Sequence, residues 1–126
     1  GGASLEGLRV LCVENEPPVL EATTGLLGRW GCEAQGALDR AAAMAAFGGQ
    51  PPDIVVLDYR LDDGDTGPAV YETLCEAWGA RPPAILATAE RGGEAEAAAA
   101  GAGMTMLAKP VAPAALRAAI AALRPR

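Results

Sequence analysis

The chain has 126 residues, of which 51% are hydrophobic, and this length suits one domain with one continuous core. Its formal net charge is -6 and its arginines are scattered, so we expect no direct contact of this domain with a nucleic acid. Histidine is absent, which excludes a Ser-His-Asp triad, a Cys-His pair and a His-based zinc site.

The ends of the chain and its cysteines indicate the compartment. No apolar run reaches the roughly 20 residues that span a bilayer, and the start does not resemble a signal peptide, so we expect a cytoplasmic domain without membrane contact. Residues 1–7 are predicted to be a linker and residues 8–124 the domain. Cys12, Cys32 and Cys75 lack C-x-x-C spacing, and we predict that they are buried thiols.

The first half of the sequence predicts two strands and two helices. Residues 8–13 form a short apolar run that is typical of a buried strand. Residues 17–30 carry apolar side chains at helical spacing, after Pro17-Pro18 and before Gly31. A short segment, 32–36, leads into an Ala-rich helix over 39–47.

The middle of the sequence predicts a central strand, a loop and a helix. Residues 54–57 are continuously apolar and too few for a helix, so they indicate a strand that is buried on both faces. Residues 60–68 are rich in Asp and Gly, which is typical of a loop. Apolar positions from 70 to 78 then mark a helix that Gly79 ends.

The last part predicts a strand over 84–87, a weak Ala-rich helix over 92–100, a strand over 104–108 and a helix over 113–123. Strands and helices thus alternate five times along the chain. This alternation predicts an α/β fold with a parallel sheet that helices cover on both faces.

Four polar residues each follow a predicted strand, and the only lysine of the chain, Lys109, is one of them. The others are Glu14, Asp58 and Thr88. Each of the four has an ordinary alternative. Glu14, like the nearby Glu16, could be a helix N-cap, and Asp58 could be an acid in a turn. Thr88 could simply end a strand, and Lys109 could be a solvated surface residue. Because the carboxyl ends of parallel strands share one edge, their combination instead indicates a phosphoryl-binding site.

Four sequence blocks carry a family resemblance: Val-Leu-Cys-Val-Glu-Asn-Glu-Pro at 10–17, Val-Val-Leu-Asp at 55–58, Ile-Leu-Ala-Thr-Ala at 85–89 and Lys-Pro at 109–110. In order and separation they resemble the receiver domain of response regulators, over essentially the whole chain. The resemblance implies a flavodoxin-like (βα)5 three-layer sandwich with strand order 2-1-3-4-5. It also implies transfer of a phosphoryl group from the phosphohistidine of a histidine kinase or phosphotransfer domain onto Asp58.

The resemblance assigns further roles at the site. Mg²⁺ is expected on Glu14, Asn15, Asp58 and the main-chain carbonyl of Arg60, which are the hard oxygen ligands that this ion prefers. Lys109 would contact the phosphoryl oxygens as a point charge.

The same resemblance implies a switch. Thr88 would donate its hydroxyl to the phosphoryl group only in the phosphorylated state, and the residue at position 106 would move with it. The fourth helix, fifth strand and fifth helix would form the output surface.

The chain departs from the family pattern at three places. Asn15 stands where a second acid is usual, so we expect weaker Mg²⁺ binding, and Met106 stands where Tyr or Phe is common. The loop after Asp58 is one residue longer than usual, with Asp62 in place of a common Pro. Arg60 and Glu90 are predicted to pair across the mouth of the site and to slow an attacking water.

Several functional contexts stay open. The loop Asp-Tyr-Arg-Leu-Asp-Asp-Gly resembles receivers at the C-terminal end of hybrid sensor histidine kinases, and a stand-alone receiver is also compatible. The alternative is a pseudo-receiver, an interaction module without phosphorylation, which Asn15 and Met106 favour. A phosphatase of the haloacid-dehalogenase type is disfavoured because Arg60 occupies the position of its second acid. The oligomeric state is not predicted.

Overall fold

The computed structural model describes residues 4–90 and 92–125. It contains a parallel five-stranded sheet with the strand order β2-β1-β3-β4-β5. This order and the five helices, one after each strand, confirm the predicted flavodoxin-like fold. The strands are β1 (Arg9–Val13), β2 (Glu33–Ala37), β3 (Ile54–Asp58), β4 (Ala84–Thr88) and β5 (Thr105–Ala108).

One helix follows each strand, and single turns of 3₁₀ helix lie at Ala46–Gly49 and Asp62–Gly64. A crossover of this kind returns the chain to the amino edge of the sheet, so every strand runs in the same direction. The helices are α1 (Pro17–Arg29), α2 (Arg40–Ala45), α3 (Gly67–Trp78), α4 (Gly93–Ala102) and α5 (Pro113–Leu123).

The core has two halves, one on each face of the sheet. Alternation along β1 sends Leu11 and Val13 to one face and Val10 and Cys12 to the other. The first half packs the sheet against α2, α3 and α4, and the second packs it against α1 and α5. Every residue of β4 is buried, as a strand covered on both faces requires.

Two elements differ in extent from the sequence prediction. Helix α3 begins at Gly67 rather than at residue 70, because the Thr66 hydroxyl accepts a hydrogen bond from the Ala69 amide at 3.3 Å and Pro68 fits the first turn. Helix α2 is shorter than predicted and ends at Ala45, since Phe47 and Gly48 have left-handed backbone angles.

The packed part of the chain also begins before residue 8. Leu5 is 1% exposed and belongs to the core half under α1 and α5. The Gly7 amide donates to the Gly31 carbonyl at 2.8 Å, and the Arg124 guanidinium donates to the Ser4 carbonyl at 2.6 Å. Residues 4–7 therefore pack against the folded unit, and residues 1–3 of the predicted linker lie outside the described residues.

None of the helices within the described ranges is long and apolar enough to cross a membrane. Cys12, Cys32 and Cys75 are unpaired and buried, as predicted. Burial raises the pKa of the Cys12 thiol to about 12, so this thiol stays protonated at neutral pH.

Candidate functional site

The side chain of Lys109 connects two carboxylates at the carboxyl edge of the sheet. Its Nζ donates to Glu14 Oε1 and to Asp58 Oδ2, both at 3.1 Å. These side chains are mostly buried, with relative exposures of 22%, 10% and 11% for Lys109, Glu14 and Asp58. The three residues come from three different strand ends, as the sequence predicted for the edge, while Glu16 is exposed and forms no side-chain cap.

Backbone hydrogen bonds fix the three strand ends. The Glu14 amide donates to Ala37 of β2 at 3.0 Å, which continues the ladder beyond β1. Asp58 is the last residue of β3, and the Lys109 amide donates to the Thr88 carbonyl at 2.9 Å. The Lys109-Pro110 peptide bond is cis. The side chains therefore project from a rigid frame.

The acids are unequal in their electrostatics. Burial, followed by the neighbouring Asp58 carboxylate, raises the pKa of Glu14 to about 7, although Lys109 opposes this shift. Burial works against the charge of Lys109, yet its hydrogen bonds to Asp58 and Glu14 outweigh burial and raise its pKa. Lys109 thus stays charged between two carboxyl groups, of which Glu14 holds a proton more readily than an ordinary glutamate does.

Asn15 also lies at this edge and contacts a residue that the sequence did not associate with it. Its Nδ2 donates to Asp62 Oδ1 at 2.8 Å, across 47 positions of sequence. In the sequence, Asp62 stands out only as a replacement for a common Pro. A pairing of this kind depends on the path of a loop, and no local sequence signal encodes it.

The segment that carries Asp62, residues 59–66, is called the post-β3 loop below. Its two ends pair in an antiparallel bridge between Arg60 and Thr66, and the Leu61 amide donates to Asp65 at 3.0 Å. Arg40 of α2 holds the Asp65 carboxylate with Nε at 3.0 Å and Nη2 at 2.7 Å, and this pairing lowers the pKa of Asp65. The loop is therefore fixed at its base, by its own backbone and by Arg40.

The predicted switch residues lie on the opposite side of Asp58. Thr88 is 3% exposed, and its hydroxyl accepts a hydrogen bond from the Glu90 amide at 3.0 Å. In the β4–β5 register Leu86 pairs with Met106, so the side chains of Thr88 and Met106 lie on the same face of the sheet. Met106 is half-buried against the core half that includes α4.

Arg60 and Glu90 form the predicted ion pair. Arg60 Nε donates to Glu90 Oε1 at 2.7 Å, and both side chains are solvent-exposed, at 69% and 36%. No amide within the described part of the chain donates to the Arg60 carbonyl oxygen. Within those residues the Arg60 carbonyl oxygen has no backbone partner, and the Arg60 guanidinium is engaged with Glu90.

The oxygen atoms at this edge fit a divalent cation, and only some of them belong to acidic side chains. Glu14 Oε2 is buried without a hydrogen-bond partner in residues 4–90 and 92–125, which is an unfavourable state that a cation relieves. No cluster of three or more Asp, Glu, His or Cys side chains in the same residues has a metal-binding arrangement. Glu14 and Asp58 are the two acids that Lys109 contacts at this edge, and Asn15 beside Glu14 adds no charge.

An apolar groove of about 450 Å³ adjoins the carboxylates. It runs between α1 and α5, and Glu14, Asp58 and Lys109 border it. The groove explains why Leu27 is the only fully buried side chain of α1, whereas Val19 is 38% exposed. The apolar side chains predicted for one face of this helix thus line the groove and leave it open to solvent.

Comparison with known proteins shows the family of this chain. The family model of the response regulator receiver domain matches residues 10–121. The chain superposes on the chemotaxis protein CheY4 of Vibrio cholerae with a TM-score of 0.81 and 21% identity, covering 93% of this chain and 98% of that one. A CheY-like receiver domain from Methanospirillum hungatei gives a TM-score of 0.80 and 22% identity, with 91% of each chain covered.

A two-component response regulator from Clostridium difficile is similar to the same degree, with a TM-score of 0.80 and 19% identity over 92% of this chain and 94% of that one. Among curated proteins, a sequence search gave no match. At these identities the structures support the fold, and the match to the family model supports membership.

Proposed function

We propose that this chain, which belongs to the response regulator receiver family, accepts a phosphoryl group on Asp58 from the phosphohistidine of a partner kinase or phosphotransfer domain. One observation carries the proposal. The only lysine of the chain contacts the Asp58 carboxylate and the Glu14 carboxylate at once, at the edge where parallel sheets bind ligands.

The chemistry is a single displacement at phosphorus. An oxygen of Asp58 forms a bond to phosphorus while the bond from phosphorus to the imidazole nitrogen of the partner breaks, and the nitrogen keeps the electron pair. Two negative groups approach each other in this step, so fixed positive charge lowers its barrier. Lys109 already lies against Asp58 and needs only a small movement to contact the phosphoryl oxygens.

Mg²⁺, when bound, would neutralise phosphoryl oxygens during this transfer. Glu14, Asn15, Asp58 and the Arg60 carbonyl are the residues that would hold it. The buried and unpartnered Glu14 Oε2 supports this assignment. Lys109 contacts both Glu14 and Asp58 and would lessen their mutual repulsion until the cation binds.

Thr88 and Met106 would convert the modification into a shape change. The Thr88 hydroxyl accepts a hydrogen bond from the Glu90 amide. Movement of the Thr88 side chain toward the phosphoryl group would break this bond and release the start of the β4–α4 connection. Met106 shares the face of the sheet with Thr88 and would fill the space that the hydroxyl leaves. Helix α4 buries only Ala95 and Ala99, so it is weakly held and is the element that we expect to move.

Acetyl phosphate with MgCl₂, followed by intact-mass measurement, tests the acceptor role. We expect the wild type to gain one phosphoryl group and Asp58→Asn to gain none. Asp63→Asn is the matched control, because it is the same chemical change at an exposed acid of the same loop, and it should react like the wild type. A wild-type protein that gains no mass would indicate the pseudo-receiver, which the missing acid at Asn15 favours.

Lys109→Ala tests the neutralising charge. The rate of phosphorylation should fall about 100-fold, by analogy with the loss of one charge-stabilising donor at a transition state. The amide NMR spectrum should show that the fold is retained. An unchanged rate would contradict the role of Lys109.

The wider context of the domain is also a proposal. The loop sequence supports a receiver of a hybrid sensor histidine kinase or a stand-alone receiver, in the cytoplasm where the kinase partner acts. A phosphatase of the haloacid-dehalogenase type is not supported, because Arg60 takes the place of the required acid and pairs with Glu90.

A further inference from the structure

We propose that Asp62 is a working part of the cation site: it orients the amide of Asn15 and supplies the negative charge that Asn15 lacks. This inference rests on the proposed function, since it concerns the same divalent cation. The observation behind it is the hydrogen bond from Asn15 Nδ2 to Asp62 Oδ1 at 2.8 Å.

The chemistry of the two groups decides the orientation of the amide. A carboxylate accepts hydrogen bonds and donates none, so only the NH₂ group of Asn15 can face Asp62. The carbonyl oxygen of the amide is then the atom left for another partner. Divalent cations such as Mg²⁺ bind oxygen and not an amide NH₂ group, so this orientation turns Asn15 into a ligand.

Free rotation would weaken such a ligand. An unrestrained asparagine would present the wrong end of its amide half of the time, and it would lose rotamer entropy when it bound the cation. Residues that orient a metal ligand by hydrogen bonding contribute a large part of the affinity of a site for its metal ion. Asp62 therefore acts as a positioning residue for Asn15.

The post-β3 loop holds Asp62 where this contact requires it. Asp62 begins the 3₁₀ turn, and the Asp65 amide donates to its carbonyl at 3.1 Å. The pairing of Arg60 with Thr66 and the contact of Arg40 with Asp65 fix the two sides of the turn. The carboxylate thus reaches Asn15 from a preformed loop.

Charge provides the second argument. The two carboxylates in the site share Lys109, and Asn15 adds no charge of its own. Among the residues that the structure describes, no basic side chain forms an ion pair with Asp62. Its negative charge is therefore available to attract a cation to Asn15, although the exposure of Asp62 screens the effect.

A competing interpretation is that the contact only closes the loop. In that case the loss of Asp62 would disturb the loop and weaken cation binding by the same factor whatever residue occupies position 15. Our proposal requires instead that the effect depends on the asparagine. The dependence can be measured with a double-mutant cycle.

The experiment is a titration of the metal-free, unphosphorylated protein with MgCl₂ at constant ionic strength, followed by amide NMR shifts and by calorimetry. Asp62→Ala should raise the Kd for Mg²⁺ about tenfold. Asp62→Asn keeps an acceptor oxygen but loses the charge, and its effect should be smaller. Asp63→Asn, the control, removes the neighbouring charge and should change Kd by less than about twofold.

The second half of the cycle uses the Asn15→Asp background. There the new carboxylate binds the cation directly and has no NH₂ group to donate, so Asp62→Ala should leave Kd within about twofold or lower it by removing like-charge repulsion. A tenfold weakening by Asp62→Ala in both backgrounds would overturn the proposal in favour of a loop effect. An unchanged Kd for Asp62→Ala in the wild-type background would also overturn it.

The outcome can be separated from a failure of the proposed function. If the wild type gains a phosphoryl group and Asp58→Asn does not, the receiver function stands, and the cycle alone decides the role of Asp62. If the wild type binds no Mg²⁺ at all, the inference about Asp62 is overturned together with the metal requirement.

Discussion

Two regions flank Asp58, and they are built in opposite ways. The post-β3 loop is closed by a backbone bridge, braced by Arg40 and joined to Asn15 through Asp62. Helix α4, on the other side, begins at Gly93, has no side-chain cap from Gly92, and buries only two alanines, Ala95 and Ala99. Alanine burial contributes little free energy, so α4 is held weakly. The site therefore has one preformed side, the post-β3 loop, and one weakly held side, helix α4.

The largest effect is expected where the preformed side is tightest. A Cβ atom at Gly67 would lie 2.4 Å from the Asp58 carbonyl oxygen and 2.9 Å from Leu86 Cδ1. Gly67→Ala should therefore lower the free energy of unfolding by about 3 kcal/mol, because the backbone of β3 must shift. Urea denaturation measures this change.

Gly64→Ala is the control for that substitution. Gly64 has a φ of +76° and open space around it, so the cost should be about 1 kcal/mol from the left-handed backbone alone. Equal losses for the two variants would show that the contact between the start of α3 and the end of β3 is not tight.

Glu14, which Lys109 links to the ends of β3 and β5, should make the stability of the domain depend on pH. The ordinary pKa of a glutamate is 4.5, whereas the pKa of Glu14 in the folded protein is about 7, so the folded state binds more protons between these values. The free energy of unfolding should therefore fall as the pH rises through this window. Glu14→Gln should remove the decline and exceed the wild type at pH 8 by about 1–3 kcal/mol.

Chemical denaturation at about pH 5 and pH 8 without divalent cations tests this expectation, and at the lower pH the two proteins should converge toward equal stability. Glu16→Gln, at an exposed acid two positions away, should follow the wild-type profile. A Glu14→Gln protein less stable than the wild type at pH 8 would show that the bond to Lys109 outweighs the burial cost.

Arg40→Ala should loosen the preformed side at a smaller cost. The ion pair with Asp65 is partly exposed, at 39% and 25%, so its loss should cost no more than about 1 kcal/mol. Hydrogen exchange of the Leu61 and Asp65 amides should nevertheless accelerate, whereas exchange in α4 should not change. Acceleration in both regions would mean that the two sides are coupled.

Gly101→Ala should strengthen the weak side by the smallest amount. A Cβ there meets no atom within 4 Å, so the substitution should stabilise α4 by about 0.5–1 kcal/mol through helix propensity. Amide exchange in α4 should slow, and the NMR shift changes of α4 upon phosphorylation should shrink.

Gly28→Ala in α1, which also has open space, is the matched control and should leave exchange in α4 unchanged. Equal slowing of α4 exchange by both substitutions would show that α4 opens only with the whole domain.

The same contrast explains what the sequence could reveal. Strand ends and helix periods are local, so the order of elements and the meeting of Glu14, Asp58 and Lys109 could be predicted from alternation and topology. Strand β2 was less evident, since three of its five residues are exposed and no apolar alternation marks it. The early start of α3 had a signal in Thr66 and Pro68 that the loop composition obscured.

The contact of Asn15 with Asp62 could not be predicted in this way. It depends on the path of a loop that is set by the bridge between Arg60 and Thr66 and by a distant arginine on α2. The absence of a Cβ at Gly67 is likewise meaningful only once β3 and α3 are packed together. Such contacts depend on tertiary structure, because the sequence gives the identity of each residue but not its distance from residues far away in the chain.

The bond between Arg124 and Ser4 brings the two ends of the folded unit together. Helix α5 returns the chain to the amino edge of the sheet, so this junction lies away from the edge that carries Asp58. Any segment that continues the chain at either end would thus leave the domain at the edge opposite Asp58. Under the proposed function, a phosphoryl donor that shares this chain would meet Asp58 at an effective concentration set by the length of the connecting segment rather than by the amount of protein.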